Sequence, residues 1–259
     1  MQWVEPGSAA DFDADVGAAE MRAAFEGWEG VDFIPLGAGA REKKLLVADM
    51  DSTMIGQECI DELADYAGIK PQIAVITERA MQGELDFAAA LRERVALLAG
   101  LEEGAIARCL AERIRPNPGA ATLVRTMRAR DATTLLVSGG FTAFADPVAA
   151  MLGFERVEAN VLDTVGGRLS GTVSGRIVDA AHKALALVRT RDALGLAIAD
   201  TLAIGDGAND TLLIEAAGLG IAFRAKPALA AVADGRLDHH GLDALLWAQG
   251  IPRAEWVAA

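Results

Sequence analysis

Two carboxylates stand two residues apart in Asp49–Met50–Asp51–Ser52–Thr53, directly after the apolar run Leu45–Leu46–Val47–Ala48. Placed so at a strand end, one carboxylate can attack an electrophile such as phosphorus while the other donates and then accepts a proton. Read alone, the string equally suits a helix cap, with Asp51 or Ser52 accepting from the first N–H groups of the next helix. A calcium loop does not fit, because the sixth and twelfth positions counted from Asp49 are Met54 and Ile60 rather than Gly and Glu. A second acidic string, Gly205–Asp206–Gly207–Ala208–Asn209–Asp210, offers hard oxygen ligands of the kind Mg²⁺ takes in octahedral geometry. A capping loop is its alternative; a dinucleotide fingerprint is excluded, since the third glycine position is Asp210. Ser138–Gly139–Gly140 joins a hydroxyl to backbone N–H groups at the start of a helical pattern, which suits a phosphate oxygen but also describes an ordinary strand-to-helix turn. Lys183, on a predicted helix from Ala180 to Leu194, would by itself be a solvated surface charge.

These groups need a frame that gathers them. Leu45–Ala48, Thr133–Val137, Thr201–Ile204 and Leu219–Ala222 read as short buried strands, and helical patterns follow the first three. Strand-then-helix alternation predicts an α/β fold: a three-layer, Rossmann-like parallel sheet with helices on both faces. Ligands bind such sheets beyond the carboxyl ends of the strands. The strings at Asp49, Ser138 and Asp206 follow three of those ends, so they are expected to converge.

Residues 55–118 carry a different pattern. Gly68, Gly83 and Gly100 separate three or four amphipathic helices, with apolar faces at Ile60, Leu63 and Ala64, at Ala88, Leu91, Val95 and Leu98, and at Ile106, Leu110 and Ile114. Asp86 suits an N-cap. Arg115–Pro116–Asn117–Pro118–Gly119 reads as a return linker, with Asn117 as N-cap and Pro118 at the first helical position. The expected division is an α/β core of residues 41–54 and 119–259, a helical cap of 55–118 inserted over the strand ends as a lid, and an extension of 1–40 holding one helix near Ala18–Gly27. Residues 157–178 alternate around Gly166–Gly167 and predict a β-hairpin.

Composition narrows the partners. The chain has 259 residues, 52% of them hydrophobic, and a net charge of −13. Such an acidic surface repels nucleic acid and anionic lipid, and obliges any phosphate site to supply its own local cation. The run Leu212–Phe223 is too short to span a bilayer and contains Glu215. Cys59 and Cys109 lack metal or redox spacing, and residues 1–19 lack the basic flank and apolar run of a signal peptide. A reduced, cytoplasmic setting is the expectation.

Taken together, Asp49-x-Asp51-x-Thr53, Ser138, Lys183 and the Gly205–Asp210 loop resemble the haloacid-dehalogenase-like phosphatase superfamily, in its order and on its strand ends. Asp51 separates the chain from the dehalogenases, which lack that acid/base. A narrower similarity, over residues 43–250, is to the phosphoserine phosphatase branch: Asp49–Glu58, Gly83–Phe87 with Leu91–Val95, Ser138–Thr142 and Leu242–Leu246 match its signatures. Thr211 and Pro147 depart from the pattern, and Pro147 is expected to interrupt the helix after Ser138, with Asp146 restarting it.

The resemblance implies a Mg²⁺-dependent phosphomonoesterase whose small-molecule substrate is O-phosphoserine. Asp49 would be the nucleophile and Asp51 the acid and base. Asp49, the Asp51 carbonyl and Asp206 would hold Mg²⁺. Ser138, Gly139, Lys183 and Asn209 would bind the phosphoryl group, and Asp210 would support the ligands from behind. Glu58 would pair with the substrate ammonium and Arg94 with its carboxylate, while Phe87 and Met81 would help close the cavity. A phosphotransferase to an alcohol such as homoserine, a silent phospho-ligand sensor and a broad sugar-phosphate phosphatase are the competing readings.

Overall fold

The computed structural model describes residues 1–25, 27–37, 40–81 and 84–258, with side chains throughout except at residues 18, 19, 22 and 81. In chain order the strands are β1 (Gln2–Glu5), β2 (Ala9–Asp11), β3 (Leu45–Ala48), β4 (Thr133–Phe141), β5 (Arg156–Val165), β6 (Arg168–Ser174), β7 (Thr201–Gly205), β8 (Leu219–Phe223) and β9 (Gly235–Leu237). The helices are α1 (Ala18–Phe25), α2 (Cys59–Tyr66), α3 (Lys70–Met81), α4 (Phe87–Ala96), α5 (Gly104–Glu112), α6 (Ala120–Ala129), α7 (Thr142–Leu152), α8 (Ala180–Ala193), α9 (Thr211–Ala216), α10 (Pro227–Val232) and α11 (Ala244–Ala248).

Every residue of β3 is fully buried, as a central strand covered on both faces requires. Its alternating side chains feed two cores. Leu46 and Ala48 join Leu123, Val124, Phe144 and Val148 on one face; Leu45 and Val47 join Ala186, Leu187, Leu213 and Ile214 on the other. Among the described residues the main sheet runs β6-β5-β4-β3-β7-β8-β9, parallel except for the β5–β6 hairpin. The chain steps one way from β3 to β4 and β5, and the other way to β7, β8 and β9. The crevice where strand order reverses is where such sheets bind ligands. Register fixes it: Ala48 lies opposite Leu136 and Ile204, so Asp49, Ser138 and Asp206 emerge at one edge.

The α/β expectation holds, with local corrections. Pro147 does not break its helix: α7 is continuous through it. Proline withholds only one N–H, and burial of Phe144, Ala145, Val148, Ala149 and Leu152 outweighs that loss. Asn117 is not an N-cap. Gly119, at φ +79°, precedes α6, while the Asn117 amide donates to Thr53 O at 2.8 Å and Ile55 O at 3.1 Å. It thereby clamps the outgoing and returning chain between β3 and α6. The hairpin forms around Gly166 and Gly167, both left-handed, and widens the main sheet because β5 lies parallel to β4. Helices α2–α5 fill residues 59–112, and Leu63, Leu91, Val95, Ile106 and Ile114 belong to the core that also holds Met54 and Ile55. Gly83 lies outside the described residues.

β1, β2, β9, α10 and α11 were not expected. β9 is a three-residue edge strand. The first residues form a β1–β2 hairpin that packs Phe12 with Phe25 and Phe33. Asp11 pairs with Arg41, and Asp32 accepts from the backbone N–H groups of Asp238 and His240 at 2.7 and 2.9 Å. Among the described residues no helix is long and apolar enough to cross a membrane.

Candidate active site

Asp49 prolongs the β3 ladder, its N–H reaching Ile204 O at 3.0 Å. The chain then coils through Met50–Met54, closed by Ile55 N–H to Met50 O at 3.1 Å, with Ser52 left-handed at φ +55°. A left-handed non-glycine residue is uncommon, and it persists here because Met50, Thr53 and Met54 are buried around it. The coil separates the two carboxylates. Asp49 Oδ1 accepts from Met50 N–H at 2.8 Å, while Asp51 Oδ1 accepts from Cys59 N–H at 3.4 Å. Across the edge, β4 carries Ser138 near its end, in the irregular turn where its register with β5 shifts between Val137 and Phe141, and Ser138 Oγ accepts from Gly140 N–H at 2.8 Å. A β-carbon at Gly140 would lie 3.0 Å from Ser138 Oγ and 3.1 Å from Asp51 Oδ2, so the glycine keeps both oxygens uncrowded.

Lys183 is placed by α8, whose cap Asp179 accepts from His182 N–H at 2.8 Å. Far from being a surface charge, Lys183 is 1% exposed, and its Nζ lies 2.7 Å from both Asp49 Oδ1 and Asp210 Oδ1. Asp210 is fully buried, and its Oδ2 accepts from the N–H groups of Asp206 and Gly207 at 3.2 and 3.3 Å. A β-carbon at Gly205 would lie 2.5 Å from Asp210 Cβ, so this loop shape admits only glycine there. Carboxylate oxygens of Asp49, Asp206 and Asp210 all lie within 4.8 Å of one another.

The electrostatics show a deficit of positive charge. Burial and the charge of Asp210 push Asp49 well above the usual carboxylate range, despite Lys183. Asp206 is pushed up to about 6, by burial and then by Asp210 and Glu58. Asp51, which keeps a window to solvent, rises to about 7, through the packing around it and then the charge of Glu58. Burial works against the Lys183 charge, but Asp49 and Asp210 more than compensate and hold it protonated. One buried lysine among four aspartates, with Lys226 near Asp206 at the rim, leaves uncompensated negative charge, and the donor set is all hard oxygen. These residues therefore fit a divalent cation.

Other expected residues lie around this centre. Glu58 is exposed and its Oε1 accepts from Ser52 Oγ at 2.7 Å. Arg94 is half-buried on α4, within the field of Asp61, Glu58 and Asp51, and burial lowers its pKa. Phe87 reaches the Ser138 turn: a β-carbon at Gly139 would lie 2.9 Å from Phe87 Cζ. Asn209 is exposed, with Oδ1 directed at Gly207 rather than into the carboxylate cluster. The side chain of Met81 lies outside those described.

Sequence reasoning passed over Asn160. It is 2% exposed on β5, donates to Gly139 O at 2.8 Å and accepts from Val178 N–H at 2.9 Å. One amide thus ties the Ser138 turn to the segment leading into α8 and Lys183.

A family model described as haloacid dehalogenase-like hydrolase matches residues 46–215, a span holding Asp49, Ser138, Lys183 and Asp206. The chain belongs to this haloacid dehalogenase-like family. Among curated relatives, a phosphoserine phosphatase from Streptomyces coelicolor is 45% identical over 232 residues, covering 89% of this chain and 56% of its own length. One from Albidiferax ferrireducens is 46% identical over 208 residues, covering 78% of this chain and 88% of its own length. A solved structure described as a phospho-aspartyl intermediate analogue of phosphoserine phosphatase superposes with a TM-score of 0.73 at 36% identity, covering 80% of this chain and 98% of that one. The chain spans 54–62% of the length of the first three curated relatives it matches.

Proposed function

We propose that this haloacid dehalogenase-like protein is a Mg²⁺-dependent phosphomonoester hydrolase that releases serine and phosphate from O-phosphoserine through an aspartyl phosphate. The observation that carries the reading is Lys183, buried and shared at 2.7 Å between Asp49 and Asp210, with a third carboxylate, Asp51, within its field. Likeness to curated phosphoserine phosphatases supports the substrate.

In this reading Asp49 attacks phosphorus, and the bond to the serine oxygen breaks as Asp51 gives that oxygen its proton. The Asp51 carboxylate then takes a proton from water, which attacks the aspartyl phosphate and frees Asp49 and inorganic phosphate. Asp51 is suited to both steps because its surroundings raise it to about 7. Ser138, the Gly139 N–H and Lys183 hold the phosphoryl oxygens, with Asn209 at the edge; Asp210 orients Lys183 and the 206–207 turn. Mg²⁺, held by Asp49, Asp206 and the Asp51 carbonyl, supplies neutralisation of phosphoryl charge when bound. Residues 55–118 act as the lid over a core of 41–54 and 119–259, with 1–40 an extension. From the lid, Glu58 takes the ammonium, Arg94 the carboxylate, and Phe87 and Met81 close the cavity. The setting is cytoplasmic, without nucleic-acid or membrane partners.

The test is phosphate release over a phosphomonoester panel with Mg²⁺ and with excess chelator, repeated on Arg94→Ala. Losing one partner of a desolvated charge pair costs about 2–5 kcal/mol, or very roughly 30- to several-thousand-fold in kcat/KM for phosphoserine. p-Nitrophenyl phosphate, which has no carboxylate, should be affected far less. Full activity in chelator, or equal losses on both substrates, would overturn the reading.

A further inference from the structure

The lid is bonded to the sheet through the β5–β6 hairpin. The segment after α4 lies along β6: Gly100 N–H donates to Leu169 O at 2.8 Å, Leu169 N–H to Leu101 O at 2.9 Å, and Glu103 N–H to Gly167 O at 2.9 Å. Arg168 adds a bond to Gly100 O at 2.7 Å and an ion pair with Glu102 at 3.1 Å. The end of α4 itself seats on Gly171. A β-carbon there would lie 2.8 Å from Ala99 Cβ and 3.3 Å from Ala96 O, and Gly171 is left-handed at φ +84°. Leu169, beside the register shift of β6 that holds Gly171, is buried in the core that holds Leu91, Val95 and Leu98 of the lid. At its other end α4 touches the Ser138 turn through Phe87 and Gly139. Thus α4 is fastened to the sheet at both ends, and Arg94 lies between.

We propose that Gly171 is a positioning residue for Arg94: its missing side chain sets the depth at which α4 rests on β6, and with it the reach of the guanidinium over the strand ends. The proposal rests on Arg94 taking the substrate carboxylate. Asp49, Asp51, Lys183 and Asp206 are carried by β3, α8, β7 and the turns after them, so a displacement of α4 leaves the reacting groups where they are. Misplacement of a binding group by about 1 Å can cost as much as 10²-fold.

Three variants test this: Gly171→Val, Ala99→Val and Arg94→Ala. Ala99→Val wedges the same seam from the lid side at a residue whose backbone is not left-handed, so it decides the matter if Gly171→Val fails to fold. The expected result for both wedges is a fall in kcat/KM for phosphoserine of about tenfold or more, or about 1.4 kcal/mol. It should come mainly through KM, with p-nitrophenyl phosphate changed by less than about twofold because the reacting groups stay in place. Amide hydrogen exchange should quicken in Ala90–Leu98 and stay at the parent rate in α2. Equal losses on both substrates would make the seam merely structural and overturn the proposal. Parent-level phosphoserine turnover in both wedges, with Arg94→Ala still selective, would overturn it while leaving the Arg94 reading intact. If Arg94→Ala is itself unselective, that reading falls and the proposal with it.

Discussion

Asp49 carries a division of labour that single substitutions can separate. Its Oδ1 accepts from both Lys183 and Met50 N–H, so both contacts fall on one carboxylate oxygen. Asp49→Asn keeps the shape and the Met50 contact but removes the charge proposed to attack phosphorus. Phosphate release should fall by on the order of 10⁴-fold or more, the scale of nucleophile deletions, and an acid-quench assay should find no phosphoenzyme. Retained turnover would reject Asp49 as nucleophile. Asp51→Asn should behave differently, because what it removes is the proton. A leaving group as acidic as p-nitrophenol departs without one, so the loss on p-nitrophenyl phosphate should be smaller than on phosphoserine during phosphoenzyme formation, with phosphoenzyme accumulating as its hydrolysis slows. Equal losses in the burst phase would argue that Asp51 has no acid role.

At the scale of elements, Asp32 ties the segment joining the β1–β2 hairpin to β3 to the loop after β9. Asp32 accepts from the N–H groups of Asp238, His239 and His240, and from His240 Nδ1 at 2.8 Å. Burial alone would raise its pKa, but the donors, Asp238 first, draw it below the usual carboxylate range. A depressed carboxylate contributes stability that is present above its unfolded pKa and lost as pH falls through its folded one. Asp32→Ala should therefore cost about 1–3 kcal/mol near neutrality, the range for hydrogen bonds to a charged group whose donors are left unmet. The gap between parent and variant in urea titrations should be constant from pH 7 to 5 and shrink below about pH 4. A gap independent of pH would assign the effect to packing instead.

Elements also show where sequence is informative. Buried strands ending in polar strings were legible because an apolar run followed by Asp49, Ser138 or Asp206 has few other uses. Asn160 was not, since one polar residue in an alternating strand looks like any solvent-facing position until its register beside β4 is known. Pro147 and Asn117 misled because local propensity was read where tertiary contacts decide: five buried residues carry α7 past the proline, and the Asn117 amide serves two carbonyls near β3 rather than the helix beside it.

For the molecule as a whole, the acidic cluster is a cost that folding bears. Asp49, Asp206 and Asp210 lie together at one end of the sheet with Lys183 buried among them, in a chain of net charge −13. Burying like charges destabilises the compact state, and a cation that binds only the folded chain offsets this by mass action. At about 100 times its dissociation constant Mg²⁺ should add about 2.7 kcal/mol. For a chain of this size, where about 1 kcal/mol shifts Tm by about 2–4 °C, that is a rise of roughly 5–10 °C. Asp206→Asn should melt at or above the metal-free parent, since it removes one of the mutually repelling charges, yet it should gain much less from Mg²⁺. NaCl matched in ionic strength separates binding from screening, which would raise both proteins alike. Equal Mg²⁺ gains in parent and Asp206→Asn would place the cation elsewhere, and the absence of any gain in the parent would mean that the cluster is neutralised by protons rather than by metal.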